Sequence, residues 1–193
     1  MTDRQHRPGA HTQRQLINKA INGDAKAFGE LYEEYVDAIY RYIYFRVGSE
    51  VEAEDLTDEV FVRAWEALPE FRPSASYSFS AWLYRIAHNL VVDSYRRRSP
   101  VTFSRDELDK NKTRLPSVEE EAQIRHEAAN LVKAVQHLSD TEQDVIVLRF
   151  VEGLSHREVA QVIGKSESAS RVIQHRALAA LRKILVRQER HEE

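Results

Sequence analysis

The chain is 193 residues long, 42% hydrophobic and 31% charged, with a formal net charge of −3 and no cysteine. That composition suits a globular protein of one or two small domains, and it excludes disulfide frameworks, zinc ribbons and thiol catalysis. No apolar run reaches the roughly 18 residues of a membrane span, and the polar N-terminus MTDRQHRPGAHTQRQ holds no signal-peptide core; the expectation is a cytoplasmic protein with no membrane insertion.

Glycine (6) and proline (5) are scarce, no alternating β-branched run is present, and helical periodicity extends almost everywhere. The expected fold class is all-α: two small helical domains joined by a flexible linker. Residues 1–13 are too polar to pack and read as a disordered tail. Residues 12–48 read as one or two helices, broken at Asn22-Gly23-Asp24. Asp24 is a natural N-cap, and Phe28, Leu31, Tyr35, Ile39, Tyr42 and Ile43 follow helical spacing up to a stop at Gly48. A second helix spans about 52–68, with Leu56, Val60, Phe61, Ala64 and Leu68 on one face, and Pro69 and Pro73 end it. After a polar loop at 72–78, a third helix covers about 80–98. Leu83, Ile86, Ala87, Leu90 and Val91 form its apolar stripe, and Trp82, Arg85, Asn89 and Arg96 lie opposite. The first domain is thus 14–98.

Periodicity dissolves over 99–121, a polar, mixed-charge and proline-bounded stretch that reads as the linker. The second domain, 122–188, carries two capping boxes, Ser139-Asp140-Thr141-Glu142 and Ser155-His156-Arg157-Glu158. The first opens a helix bearing Val145, Ile146, Leu148 and Phe150. The second opens a short helix that stops at Gly164. Lys165-Ser166 then turns the chain into a long helix reaching about Arg187, with Ile173, Ala177, Ala180, Leu181 and Ile184 inward.

A short helix, a turn with glycine and a longer helix with a polar, basic start form a helix-turn-helix able to dock on DNA. Ser166, Ser168, Ser170, Arg171, Gln174 and His175 are expected on its outward face, where they can reach base edges or phosphates. Charge distribution agrees. Over 155–190 eight Lys/Arg face three Glu, a balance of +5, whereas over 50–70 eight carboxylates face one Arg, a balance of −7. In the third helix an aromatic cluster (Tyr77, Phe79, Trp82, Tyr84) precedes Arg85, His88, Asn89 and the triplet Arg96, Arg97, Arg98. Aromatics that stack on unpaired bases beside cations that follow phosphates can hold single-stranded nucleic acid, and the adjoining Ser76-Tyr77-Ser78 loop offers a pocket for an extruded base.

The eight histidines show no metal-ligand spacing and there is no phosphate-cradling glycine loop, so no metal, cofactor or catalytic residue is expected and the protein is not read as an enzyme. A response-type regulator would need an α/β receiver domain, and no strand pattern supports one.

Three segments resemble the extracytoplasmic-function (ECF) sigma factors of the sigma-70 family: EAEDLTDEVFVRAWEALPEF, FSAWLYRIAHNLVVDSYRRR and LSDTEQDVIVLRFVEGLSHREVAQVIGKSESASRVIQHRALAALRKIL. Their order and spacing cover about 16–185. The resemblance implies a sigma2 and a sigma4 domain with no intervening sigma3, binding to core RNA polymerase (clamp helices and flap), recognition of promoter DNA at −35 and −10 elements, assistance in melting, and restraint by an anti-sigma factor. By position it implies polymerase docking through Asp55, Asp58, Glu59, Phe61 and Trp65, with Phe61 and Trp65 also readable as core. It assigns the −10 strand to Arg72, Ser76, Tyr77, Ser78, Trp82, Arg85, His88, Asn89, Arg96, Arg97 and Arg98. The −35 element falls to Ser155, Lys165, Ser166, Ser168, Ser170, Arg171, Gln174, His175 and Arg176. Ser170 stands where the family usually has an apolar residue, which implies either a shifted register or local polar packing.

Overall fold

The computed structural model describes residues 10–74, 77–98 and 130–192, all helices and connections apart from one isolated bridge between Ser74 and Tyr77. The expected linker at 99–121 lies outside the described residues, as do the first nine residues and the start of the second domain.

In the first domain α1 (Ala10–Ile21) leads through a turn to α2 (Ala25–Val47). The Asp24 carboxylate accepts from the Lys26 and Ala27 amides at 3.0 and 3.1 Å, the cap anticipated from sequence. Along α2 the residues Leu31, Tyr35, Ile39, Tyr42 and Ile43 are buried at helical spacing. Gly48 closes the helix at φ +71, its amide bonded to the Tyr44 carbonyl. That left-handed conformation costs glycine little. Ser49 then caps α3 (Glu50–Ala67), whose Ala53, Leu56, Val60 and Ala64 face α2 and α4. A 3-10 turn, Leu68–Glu70, with proline in its first turn, ends that helix. The last element is α4 (Phe79–Arg98), with Leu83, Ala87, Leu90 and Val91 fully enclosed.

In the described part of the second domain, residues 130–136 are helical, followed by α5 (Asp140–Ile146), α6 (His156–Ile163) and α7 (Glu167–Glu192). Both expected capping boxes are present, at Ser139/Glu142 and Ser155/Glu158. One feature differs from the sequence reading. The helix does not run on regularly through Phe150: Val147–Val151 is a π-helical turn, with the Glu152 amide bonded to the Val147 carbonyl. The wider turn accommodates one extra residue, so that Leu148 is fully buried while Phe150 is 56% exposed. Gly164, at φ +65, ends α6 and turns the chain into α7. Val145, Val159, Val162 and Ala177 form the centre of this domain.

The two domains are docked. Helix α6 packs along α4, and the π turn rests on α2. Their apolar residues form one continuous core, from Ile17 to Ala177.

Candidate nucleic-acid interface

In the first domain Phe71, Phe79 and Trp82 form a packed aromatic cluster, with ring centroids 4.7 Å (Phe71–Trp82) and 5.3 Å (Phe79–Trp82) apart. Phe79 is interior and Trp82 is half-buried. Tyr77, also half-buried, sits 6.1 Å from Phe71. The cluster is therefore a rigid platform whose outer members are Tyr77 and Trp82. Tyr84, grouped with these aromatics by sequence, points instead into the domain boundary, where its hydroxyl donates to Glu152 at 2.8 Å. Arg72 is exposed and donates to the Pro69 and Phe71 carbonyls at 2.6 and 3.0 Å. Along α4, Arg85, Asn89, Arg96 and Arg97 are exposed and His88 is half-buried. Ser76 and the side chain of Arg98 lie outside the described residues.

In the second domain the start of α7 presents Lys165, Ser166, Ser168, Arg171, His175 and Arg176 to solvent. Ser166 caps the helix, its hydroxyl accepting from the Ala169 amide at 3.1 Å. Gln174 is half-buried, its side-chain oxygen accepting from Arg149 at 3.3 Å. Arg171 pairs with Glu167 one turn earlier at 2.5 Å.

Ser170 does not belong to this outward surface. It is fully buried, and its hydroxyl lies 3.0 Å from His156 Nδ1. The polar residue in a usually apolar slot is thus explained by local polar packing, with the helical register unchanged. His156 links the starts of α6 and α7 through that bond. Its pKa is lowered first by burial, then by Arg149 and Arg171. Arg149, His156, Arg157 and Arg171 line an open cleft that also contains Ser155 and Glu167, a cation-rich setting suited to an anion such as a backbone phosphate.

On α3, Asp55 and Asp58 are exposed, and Glu59 pairs with Arg63 at 2.5 Å. Phe61 is core, packed edge-on to Tyr32 at 4.6 Å. Trp65 remains at the surface, 39% exposed and 4.9 Å from Phe28. Of the two aromatics singled out on this helix, Trp65 is the one a partner can touch. Among the described residues no group of His, Asp or Glu is arranged to hold a metal ion, and no helix is long and apolar enough to cross a membrane.

A network of polar and charged residues lies between the domains; its Arg41, Arg46 and Glu152 are absent from the sequence reading, while Ser78, Arg85 and His88 were expected there to face DNA. Arg41 makes a two-pronged bond to Glu152, with both N···O distances 2.8 Å. Asp144 is held by Arg46 Nε at 3.2 Å, His88 Nδ1 at 3.2 Å and the Tyr42 hydroxyl at 2.8 Å. Arg46, its side chain wholly enclosed, also donates to the Asp140 carbonyl at 2.6 Å and to Gln143 at 3.0 Å. Burial alone would raise the Asp144 pKa, but the His88, Arg46 and Tyr42 contacts outweigh it and hold the carboxyl below its ordinary value. Ser78 donates to Glu158 at 2.9 Å and Arg85 to the Gln161 carbonyl at 3.1 Å. The only sequence cue was a pair of arginines interrupting the otherwise apolar C-terminal half of α2.

Comparison with known proteins places these features in a family. Residues 31–101 match the model of sigma-70 region 2, and residues 134–183 match sigma-70 region 4. The ECF RNA polymerase sigma factor BldN of Streptomyces coelicolor is 41% identical over 89% of this chain, which spans 65% of that relative's length. SigW of Bacillus subtilis, also an ECF sigma factor, is 31% identical over 88% of this chain and 94% of its own. Among solved structures, CnrH in complex with the cytosolic domain of CnrY is similar with a TM-score of 0.71 and 30% identity, covering 90% of this chain and 96% of that one. An all-helical pair of domains carrying regions 2 and 4 in order, similar over nearly its whole length to SigW, belongs to the ECF sigma factors of the sigma-70 family.

Proposed function

We propose that this protein is a transcription initiation factor that binds core RNA polymerase, recruits it to promoters at −35 and −10 elements and assists melting. The observation that carries the reading is the exposed basic surface at the start of α7, where Lys165, Arg171, His175 and Arg176 are solvent-exposed and can reach into a major groove. The remaining parts fit around it. The carboxylate-rich face of α3, with Asp55, Asp58, Glu59 and the surface Trp65, suits a basic coiled coil such as the polymerase clamp, and the region-4 domain is assigned to the flap. The Phe71–Phe79–Trp82 platform, with Tyr77 and the arginines of α4, suits an unstacked −10 strand.

The protein acts by binding; no step of chemistry is assigned to its side chains, and it works in the cytoplasm with the polymerase. CnrH was solved with the cytosolic domain of CnrY, and by that likeness an anti-sigma factor is assigned as a further partner.

Run-off transcription with core polymerase on a promoter library tests the reading. The expected result is co-purification with core enzyme and initiation from a defined subset of templates. No core binding together with no product on any template would refute it.

A further inference from the structure

Helical spacing sets which side of α7 meets solvent. At about 100° per residue, Ser168, Arg171, Val172, His175 and Arg176 fall within an arc of roughly 140°, and all five are exposed. Ser170 and Ala177, fully buried, mark the opposite side. The bond between the Ser170 hydroxyl and His156 holds the helix in that rotation, because turning it about its axis would break the contact. Two polar residues expected to meet DNA are thereby withdrawn: Ser170 faces inward, and Gln174 is half-buried and bonded to Arg149. Val172, absent from the sequence reading of this surface, stands within it instead.

Val172 is 51% exposed and lies outside the apolar core. A β-branched residue at such a position gives up some helix propensity and gains no packing in return. Its neighbours on the arc carry hydroxyl, guanidinium and imidazole groups. It lies five residues beyond Glu167, about 7.5 Å along the helix at about 1.5 Å per residue, among the N-terminal residues that a helix-turn-helix sends to base edges. The other exposed apolar residues of α7 are placed differently: Leu178 falls at the margin of the arc, and Val186 is roughly 21 Å further along.

Base edges in the major groove present hydrogen-bond donors and acceptors and one methyl group, the C5 methyl of thymine. A valine packed on that methyl leaves no polar group unpaired. Packed on the cytosine amine, it would strip water from a donor and replace it with nothing.

We propose that Val172 reads a thymine of the −35 element through its C5 methyl, setting a base preference that the polar residues around it do not. The proposal deepens the −35 assignment of α7 and rests on it.

The holoenzyme reconstituted from the full chain and core RNA polymerase first selects from promoter duplexes randomised over the −35 and −10 elements. The selected duplex is then resynthesised with deoxyuridine replacing each −35 thymine in turn, on either strand. Deoxyuridine keeps the pairing groups and loses only the methyl. At one position affinity is expected to fall about fourfold, the equivalent of one buried methyl at about 0.8 kcal/mol. Val172→Ser, which removes both side-chain methyls, is expected to bind the thymine and deoxyuridine duplexes equally, and Val172→Ile to keep the difference. Because the residue is exposed, both variants should melt as the parent does.

A selected −35 element with no methyl-sensitive position would overturn the proposal. So would a deoxyuridine penalty that persists unchanged in Val172→Ser, or a loss of core-polymerase binding in that variant. A failure of the functional reading itself is separately visible, as no core binding and no initiation from any template.

Discussion

Asp144→Asn is the sharpest probe of the docked state. The substitution keeps the shape and an acceptor for Tyr42, but removes the carboxylate 3.2 Å from the enclosed Arg46 guanidinium, leaving that of Asp140 at 3.9 Å. A buried charge deprived of its counter-charge typically costs 3–5 kcal/mol. Because Gln143 and the Asp140 carbonyl still accept from Arg46, the low end applies, about 3 kcal/mol, or roughly a hundredfold in the docked-to-open ratio. Calorimetry of the full chain is expected to show one cooperative transition, replaced in Asp144→Asn by two as the domains uncouple. The pair Arg46→Met with Asp144→Asn, which removes both charges, is expected to recover most of the coupling. The sign of the pH dependence follows from the depressed Asp144 pKa: its stabilisation is present above the unfolded value of about 3.9 and is lost as pH falls through the lower folded value. The contribution of Asp144 to docking therefore begins to decline only as pH drops below about 4, and the deficit of Asp144→Asn narrows from there downward. A variant that melts as the parent does at pH 7, or a double variant no better than the single, would refute the reasoning.

Three further outcomes are expected. Gly48→Ala forces a side chain into a left-handed site and brings Cβ to 2.2 Å from the Gln136 amide nitrogen; a loss of about 1–2 kcal/mol in urea unfolding is expected. Ser155→Ala removes a capping box on an eight-residue helix, which should cost about 1 kcal/mol and lower the second domain's melting temperature. Arg171→Ala should weaken binding to −35 duplex and reduce the salt slope by about one unit while core-polymerase binding stays intact; loss of core binding would contradict the placement of that residue on the DNA face.

Much of this fold is legible in sequence because its signals are local. Asp24, Ser139, Ser155, Gly48 and Gly164 each act within one helical turn, and each cap lies where the sequence places it. The π turn at Val147–Val151 escapes such reading, since the alternation of apolar residues there fits a regular helix equally well. Phe61 and Trp65 share a helix face one turn apart, and only tertiary packing against Tyr32 and Phe28 separates a core ring from a surface one. Ser170 looked anomalous because its partner His156 stands 14 residues away. The charged contact between the domains was out of reach for the same reason on a larger scale: Arg41 and Glu152 are separated by 111 positions, and no local pattern connects them.

That separation also orders events during synthesis. The first domain's share of the core, from Ile17 to Val91, is synthesised first, whereas Glu152 follows Arg98 by 54 residues. At a typical elongation rate of about 5–20 residues per second, the cover emerges some 3–11 s after the first domain can fold. In that interval Arg46 lacks its Gln143 and Asp144 partners and the side of α4 under α6 is uncovered. The nascent chain therefore passes through a form in which the contacts between the domains are not yet made.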